Sequence, residues 1–166
     1  MTKVTIYTDG ACRGNPGPGG YGAILAVCTA DGCEHRKELS AGYRLTTNNR
    51  MEILAAVVAL EALKRPCEVE LFSDSKYLVD AFQQKWVEKW QRFDWYRDAK
   101  RKEKAKNVDL WQRLLAAMEP HKVTLRWVKG HAENPDNNRC DELAVAAALD
   151  QEHWLEDPEY AGRQET

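Results

Sequence analysis

The sequence has no long hydrophobic run, no paired-cysteine motif and no leader pattern at its start. Its longest nearly apolar stretch, residues 53–60, is far shorter than the roughly 20 residues that span a bilayer. No extended apolar stretch follows basic residues near Met1, so we expect no secretory signal, no membrane association and a cytoplasmic location. The five cysteines contain no Cys-x-x-Cys pair, which predicts reduced thiols and argues against a disulfide framework or a zinc knuckle.

The composition is that of one globular domain. The chain has 166 residues, of which 43% are hydrophobic and 30% are charged. This length allows one domain with a sizeable core but not two comfortable ones, and the apolar content excludes wholesale disorder. We expect a monomer with one domain over residues 1–150, followed by an acidic tail over residues 151–166.

The charge is unevenly distributed along the chain. The net charge is −2, yet residues 85–106 hold nine Lys or Arg against four Asp or Glu. Residues 85–107, the basic segment, also interleave aromatic side chains, and four of the six tryptophans lie between Trp86 and Trp111. Positive charge beside flat rings suits a nucleic-acid backbone with its bases. A solvated charged surface, with tryptophans that pack helices together, is the alternative.

The order of predicted elements indicates an α/β domain. Short turns between the first three strands predict an antiparallel meander, and helices between the later strands predict parallel crossovers. We therefore expect a mixed sheet with helices on both faces. The predicted strands cover residues 4–9, 21–28, 34–39, 69–72 and 123–128. The predicted helices cover residues 46–63, 76–84, 108–118 and 139–149.

A glycine- and proline-rich loop is predicted over residues 14–20. It runs into the pattern Gly-x-Gly-x-x-Gly at residues 17–22, which in a dinucleotide site opens a helix. Here two prolines interrupt the loop and a strand follows it, and no Gly-Lys-Ser/Thr of a phosphate-binding loop is present. We interpret the segment as a rigid connection between strands.

Four carboxylates are candidate functional groups. Asp9 and Asp74 each end a predicted strand, where open α/β sheets place their ligand crevice. Glu52 lies in an otherwise apolar helix, and Asp141 falls in the first turn of the last predicted helix. Each has an ordinary structural explanation. Asp9 can be a turn residue, and Asp74 can be a helix N-cap. Glu52 can belong to a capping box with Asn49 as the cap, and the helix dipole favours an acid at Asp141.

Taken together, the four acids predict a metal site. If the sheet forms as expected, all four approach one spot, where mutual repulsion is relieved by protonation or by bound cations. Carboxylate oxygens favour Mg²⁺ or Mn²⁺ over zinc. Four of them can hold two ions, the arrangement used for in-line displacement at phosphodiesters.

His131 is a candidate for proton transfer. It lies in a glycine-containing loop, residues 129–135, ten residues before Asp141. The ordinary pKa of histidine, about 6.5, suits proton transfer at neutral pH, and a mobile loop would let the ring enter and leave the site. A solvated loop histidine is the alternative.

Six segments carry a resemblance to a known family. They are residues 8–10 (Thr-Asp-Gly), 14–19 (Gly-Asn-Pro-Gly-Pro-Gly), 46–52 (Thr-Thr-Asn-Asn-Arg-Met-Glu), 73–75 (Ser-Asp-Ser), 127–131 (Trp-Val-Lys-Gly-His) and 137–144 (Asn-Asn-Arg-Cys-Asp-Glu-Leu-Ala). In this order and spacing the chain resembles bacterial type 1 ribonuclease H. The resemblance implies a ribonuclease H-like fold, with a five-stranded mixed sheet of order 3-2-1-4-5 and a basic helical protrusion. It also implies endonucleolytic cleavage of the RNA strand in RNA–DNA hybrids.

The resemblance also implies residue roles. Asp9, Glu52, Asp74 and Asp141 match the metal-binding carboxylates, and His131 matches the catalytic histidine. The implied hybrid contacts are Asn15, Thr47, Asn48, Lys76, Trp86, Trp90, Lys100, Arg101, Lys102 and Asn107. Lys76 replaces a glutamine usual in the family, which favours phosphate attraction over selective hydrogen bonding. Residues 93–96 replace a usual Gly-Trp pair in a slightly longer protrusion.

The mechanistic hypothesis is hydrolysis with two Mg²⁺ ions, for which Mn²⁺ can substitute. One ion, held by Asp9 and Asp74 among others, would activate the attacking water. The other, near Asp9, Glu52 and Asp141, would stabilise the departing 3′-oxygen. The products would carry 5′-phosphate and 3′-hydroxyl ends. The alternatives are a non-catalytic module that binds RNA–DNA hybrids, a metal-dependent phosphatase for small molecules, and a nuclease that acts on DNA junctions.

Overall fold

The computed structural model describes residues 1–32, 34–130 and 134–160. Its strands are β1 (Thr2–Cys12), β2 (Gly17–Cys28), β3 (Glu34–Thr46), β4 (Cys67–Ser73) and β5 (Lys122–Trp127). Its helices are α1 (Asn48–Glu61), α2 (Lys76–Gln83), α3 (Trp86–Arg92), α4 (Val108–Met118) and α5 (Pro135–Leu149), and one 3₁₀ turn follows (Gln151–His153). In these ranges we find no helix with both the length and the apolar character needed to cross a membrane.

The five strands form one mixed sheet in the order β3-β2-β1-β4-β5. Adjacent strands β1, β2 and β3 pair antiparallel, whereas β4 lies parallel to both β1 and β5. The reason lies in the connections: short turns can join only antiparallel neighbours, and parallel neighbours need a crossover, usually a helix. The predicted fold class and strand order are confirmed.

The helices cover both faces of the sheet. Consecutive residues of β2 point to opposite faces, and a Cβ built on Gly19 would lie 3.3 Å from Met51 in α1. One built on Gly20 would lie only 2.5 Å from the carbonyl oxygen of Ala144 in α5. Glycine in β2 therefore lets the α5 backbone lie directly on the sheet.

Helix α1 is the most deeply buried helix, since it packs against both the sheet and α4. Its side chains Met51, Ile53 and Val57 are wholly buried. Two charged residues, Arg50 and Glu52, are buried with them, at 1% and 2% exposure. These charges lie at the N-terminal end of α1.

Two local predictions about helix starts are wrong. The N-cap of α1 is Thr47, whose hydroxyl accepts a hydrogen bond from the Arg50 amide, and not Asn49. Helix α5 begins at Pro135, because the Asn134 side chain caps it and proline is favoured in a first turn. Asp141 therefore lies in the second turn of α5 and not in the first.

The predicted glycine loop is shorter than expected, because β2 already begins at Gly17. Strand β1 likewise continues past Asp9 to Cys12, since both strands remain paired as far as Cys12 and Gly19. Antiparallel pairing with β2 thus extends β1 beyond the point where its parallel pairing with β4 stops, at Thr8.

Residues 151–160, which belong to the predicted acidic tail, pack against the domain. The Leu155 amide donates to the Gly42 carbonyl at 2.8 Å, and the Arg44 amide donates to the Leu155 carbonyl at 3.0 Å. Asp157 is only 3% exposed, and it forms an ion pair with Arg50. This segment therefore extends the edge of the sheet and closes over the start of α1.

Candidate active site

Asp9 and Asp74 are held side by side by two neighbouring parallel strands. Thr8 of β1 pairs with Ser73 of β4, so the next residue of each chain segment carries an acid. Parallel neighbours end at the same edge of a sheet, and ligand crevices form at that edge. The juxtaposition of the two predicted acids follows from this register.

Glu52 reaches the same place from α1. A Cβ on Gly10 would lie 2.8 Å from the Glu52 amide nitrogen, so only glycine allows α1 to approach β1 this closely. The Gly10 amide donates to both Glu52 Oε1 at 2.6 Å and Asp9 Oδ1 at 2.9 Å. The Ser73 hydroxyl donates to Glu52 Oε2 at 3.4 Å.

These three acids form the carboxylate cluster (Asp9, Glu52 and Asp74). One oxygen from each lies within 4.8 Å of the others, and Asp9 and Glu52 are 5% and 2% exposed. Burial raises the pKa of Asp9, and repulsion by Glu52 and then Asp74 raises it further. Burial and the charge of Asp74 also raise the pKa of Glu52, while hydrogen bonds with Asp9, Gly10 and Ser73 oppose this.

The carboxylate cluster fits a hard divalent cation. Its ligands are all oxygen atoms, which Mg²⁺ and Mn²⁺ prefer. A cation would offset the burial and the mutual repulsion that raise the pKa values of Asp9 and Glu52. The residues present therefore match the metal chemistry predicted from the sequence.

Asp141 lies near the cluster but outside it. It comes from the second turn of α5, is half-buried, and lines an open cleft of about 360 Å³ together with the three clustered acids. The structure thus brings all four predicted acids to one cleft, three as a tight group and the fourth on its wall.

His131 lies outside the described residues. Its neighbour Gly130 contacts the cluster, since a Cβ there would lie 2.6 Å from Asp74 Oδ2. Trp127 also contacts Asp74, because its indole N–H donates to the Asp74 carbonyl at 3.1 Å. The segment that leads to His131 thus runs along the cleft.

Four of the predicted hybrid contacts lie around a second, larger cleft of about 840 Å³. Asn15, Thr47 and Asn107 line it, and the Asn48 amide donates to Asn15 Oδ1 at 3.2 Å. Asn48 also lines the carboxylate cleft. The start of α1 therefore connects the two clefts. Residues 158–160 of the C-terminal segment form another wall of the larger one.

Sequence reasoning missed the buried ions beneath this larger cleft. Arg50 pairs with Asp157 at 2.8 Å and with Asp109 at 2.7 Å, and it donates to Asn107 Oδ1 at 3.3 Å. Asn107 has a left-handed backbone (φ 62°) and in turn donates to the Tyr77 hydroxyl at 3.1 Å. The available signal was Arg50 itself. An arginine within a mainly apolar helix is expected to be buried, and a buried arginine needs an acid as its partner.

The basic segment combines packing with exposed charge. The rings of Trp86 and Trp90 lie 6.4 Å apart, and Trp90 lies 6.1 Å from the fully buried Trp111. These tryptophans therefore attach the segment to the core as well as facing outward. The cations Lys100, Arg101 and Lys102 are exposed, and Arg101 pairs with Asp94 at 2.9 Å.

The fold and the cleft define an α/β protein with an oxygen-ligand site at the carboxyl edge of two central parallel strands. The model of the RNase H family matches residues 1–149. The chain belongs to this family of ribonuclease H enzymes.

Relatives and solved structures agree with this assignment. The chain is 58% identical over 147 residues to a ribonuclease H of Lachnoclostridium phytofermentans, covering 88% of this chain and 92% of the relative. It is 57% identical over 145 residues to a ribonuclease HI of Synechocystis, covering 87% of each. The crystal structure of LC9-RNase H1, a type 1 RNase H with the type 2 active-site motif, is similar at a TM-score of 0.82 and 30% identity, covering 98% of this chain and 82% of that one. LC11-RNase H1, solved in complex with RNA/DNA hybrid, is similar at a TM-score of 0.64 and 27% identity, covering 87% and 96%.

Proposed function

We propose that this protein is a metal-dependent endonuclease that hydrolyses the RNA strand of RNA–DNA hybrids. The observation that carries the proposal is the carboxylate cluster, with Asp9 and Glu52 buried, that lines a cleft in a member of the RNase H family. A non-catalytic binding module has no need of buried, mutually repelling acids, which reduce its stability. Every acid of the cleft comes from one chain, so we expect the monomer to be active.

We assign the metal ligands to Asp9, Glu52 and Asp74, with Asp141 as a further ligand from the cleft wall. Two bound Mg²⁺ ions, or Mn²⁺ in their place, would supply a lowered pKa for the attacking water and charge stabilisation for the departing 3′-oxygen. The hydrogen bonds from Gly10 hold Asp9 and Glu52 in place before substrate arrives. Such preorganisation avoids moving these groups during the reaction.

We assign proton transfer to His131, in assistance of hydrolysis or of product release. The close packing of Gly130 on Asp74 supports this role, because it brings the chain to the cleft one residue before the histidine. Cleavage by in-line attack would leave 5′-phosphate and 3′-hydroxyl ends.

We assign hybrid binding to the two clefts and the basic segment. Asn15, Thr47, Asn48 and Asn107 would contact one stretch of backbone, and Lys76 would contact another beside the cluster. Trp86, Trp90, Lys100, Arg101 and Lys102 would hold the duplex further along. The solved hybrid complex of the similar LC11-RNase H1 supports this class of partner. Discrimination of RNA from DNA would rest on 2′-hydroxyls in a wide minor groove.

The free thiols support a reducing location. Among the described residues, the thiols of Cys12, Cys28, Cys67 and Cys140 are free. Proteins of the cytoplasm keep their cysteines reduced, so we propose that the enzyme acts there.

The decisive experiment compares end-labelled RNA–DNA hybrid, duplex RNA and duplex DNA, each with Mg²⁺ and with EDTA. We expect cleavage of the RNA in the hybrid alone, only with Mg²⁺, and with 5′-phosphate ends. Asp9→Asn should abolish it, while the matched control Glu119→Gln, an exposed acid next to the end of α4, should not. Hybrid binding without any Mg²⁺-dependent product would instead identify a binding module.

A further inference from the structure

Lys76 and Trp127 form a contact at the mouth of the carboxylate cleft. The Lys76 ammonium nitrogen lies 5.0 Å from the centre of the Trp127 ring. Lys76 begins α2 and lines the cleft, whereas Trp127 ends β5 and is 43% exposed. A cation over an indole face at this distance is attracted by the ring electrons.

The contact has a consequence for the charge of the cleft. A lysine beside three carboxylates has a long flexible stem and could turn toward them, where it would compete with a metal ion. The Trp127 ring gives the ammonium a different place to lie. Its face supplies no hydrogen-bond acceptor, so the three N–H groups remain available to another partner.

The chemistry of Lys76 favours a phosphate as that partner. The ammonium is a compact point charge. It lacks the planar geometry with which an arginine forms two parallel hydrogen bonds to a base edge or a carboxylate. It lies at the mouth of a cleft that, under the proposed function, receives a polyanion. Contacts with backbone phosphates position a nucleic acid without reading its sequence.

We propose that Trp127 is a positioning residue, which holds the Lys76 ammonium at the cleft mouth for contact with a backbone phosphate of the bound hybrid. This inference rests on the proposed function and adds a residue that acts through Lys76. Trp127 has a second contact, since its indole N–H donates to the Asp74 carbonyl at 3.1 Å. Substitutions can separate the ring face from that hydrogen bond.

The test measures equilibrium binding of fluorescent RNA–DNA hybrid in EDTA, so that no cleavage occurs, across a range of salt. The variants are Lys76→Gln, Trp127→Leu, Trp127→Phe and the double variant Lys76→Gln/Trp127→Leu. Lys76→Gln should weaken binding about 3- to 10-fold at low salt and reduce the slope of log K against log salt by about 1. The matched control Lys122→Gln, at the opposite end of β5, should leave both unchanged.

Coupling between the two residues is the central expectation. Trp127→Leu should weaken binding about 2- to 5-fold, and adding it to Lys76→Gln should cause no further loss. Trp127→Phe keeps a ring face but no N–H donor, so it should bind within about 2-fold of the wild type. Additive losses, or a phenylalanine variant as weak as the leucine variant, would overturn the positioning role.

Steady-state kinetics with Mg²⁺ provide the second measurement. Lys76→Gln and Trp127→Leu should raise KM while kcat stays within about 2-fold, because uniform binding is lost and chemistry is not. A loss of kcat with an unchanged KM would mean that Trp127 acts through the Asp74 carbonyl instead. If the wild type neither binds nor cleaves hybrid, the proposed function itself fails; if it does both and Lys76→Gln matches it, only this inference fails.

Discussion

Two groups of buried charge lie two residues apart on α1, and they are built in opposite ways. Arg50 is surrounded by acids of the other sign, with Asp157 at 2.8 Å and Asp109 at 2.7 Å. Glu52 is surrounded by acids of its own sign, Asp9 and Asp74. Burying a charge costs free energy unless a partner compensates it. The charge of Arg50 is therefore compensated within the fold. The repulsion in the carboxylate cluster is not, which makes the cluster a candidate site for a cation.

The largest expected effect is on catalysis. Asp9→Asn removes one proposed metal ligand and should lower kcat for hybrid cleavage by about 10³-fold, since the bound ions would stabilise the charge that develops in the transition state. Single-turnover cleavage in saturating Mg²⁺ measures this. Asp157→Asn, assayed well below its melting temperature, is the comparison and should keep kcat within about 3-fold. Equal losses in both variants would remove the distinction between the two groups.

The next largest effect is on stability. Here Asp157→Asn, the comparison variant for catalysis, is the one expected to lose most. Asp157→Asn leaves Arg50 buried without its more buried partner, which should cost about 3–5 kcal/mol of unfolding free energy. Thermal and urea denaturation measure the loss. Asp109→Asn is the matched control: the Asp109 side chain is 48% exposed, so its loss should be clearly smaller. A loss from Asp157→Asn no larger than that from Asp109→Asn would contradict the structural role of the buried pair.

A gain in stability should accompany the loss of activity in Asp9→Asn. In the unfolded chain an aspartate titrates near pKa 4, whereas burial and repulsion raise the pKa of Asp9 in the folded, metal-free protein. The folded state thus holds the proton more tightly, and ionisation lowers wild-type stability as the pH rises above about 4.

The asparagine of the Asp9→Asn variant cannot ionise. The variant's gain in unfolding free energy over the wild type should therefore be absent at pH 3.5 and reach about 1–2 kcal/mol at pH 8 in EDTA. Urea denaturation at the two pH values measures it. Mg²⁺ should shrink the difference at pH 8, because it binds the folded wild type. An advantage that is largest at pH 3.5 would mean that the cluster is not strained by its charge.

The smallest effect is expected at the surface. Arg101 and Asp94 form an ion pair at 2.9 Å with side chains 52% and 73% exposed. Solvent and salt screen such pairs, so Asp94→Asn should move Tm by less than about 2 °C. The short distance resembles that of the Arg50–Asp157 pair, but that pair is buried and is joined by two hydrogen bonds, so we expect it to contribute more. A loss as large as that of Asp157→Asn would show that distance, not burial, governs these pairs.

Much of the site could be predicted because its signals are local. An acid at the end of an apolar run, at Asp9 and at Asp74, is visible in a few residues of sequence. An acid in an otherwise apolar helix, Glu52, is equally visible. The bounds of α4 agree with the prediction, since its apolar spacing and Pro120 are local as well.

Other features depend on distant partners. One wrong prediction has a local cause instead: a start of α5 at residue 139 overlooks Asn134 as a cap and Pro135 as a first-turn residue, and so places Asp141 in the first turn. Nothing near Arg50 reveals its partner, since Asp157 lies 107 positions away. The same holds for Lys76 and Trp127, which β4 and β5 bring together.

By itself the sequence determined most of the strands and helices, where acids and cations lie along them, and, through its motifs, the family. Those properties depend on side-chain periodicity and on short-range backbone preferences. The tertiary structure alone decided which charges face one another. Sheet register and helix packing bring Asp9 of β1, Glu52 of α1 and Asp74, which follows β4, to one point, and they give Arg50 its counter-ions. Whether a buried charge is compensated within the fold or is available to a cation depends on which charges lie next to it. These neighbours come from distant parts of the chain, so no local pattern contains them.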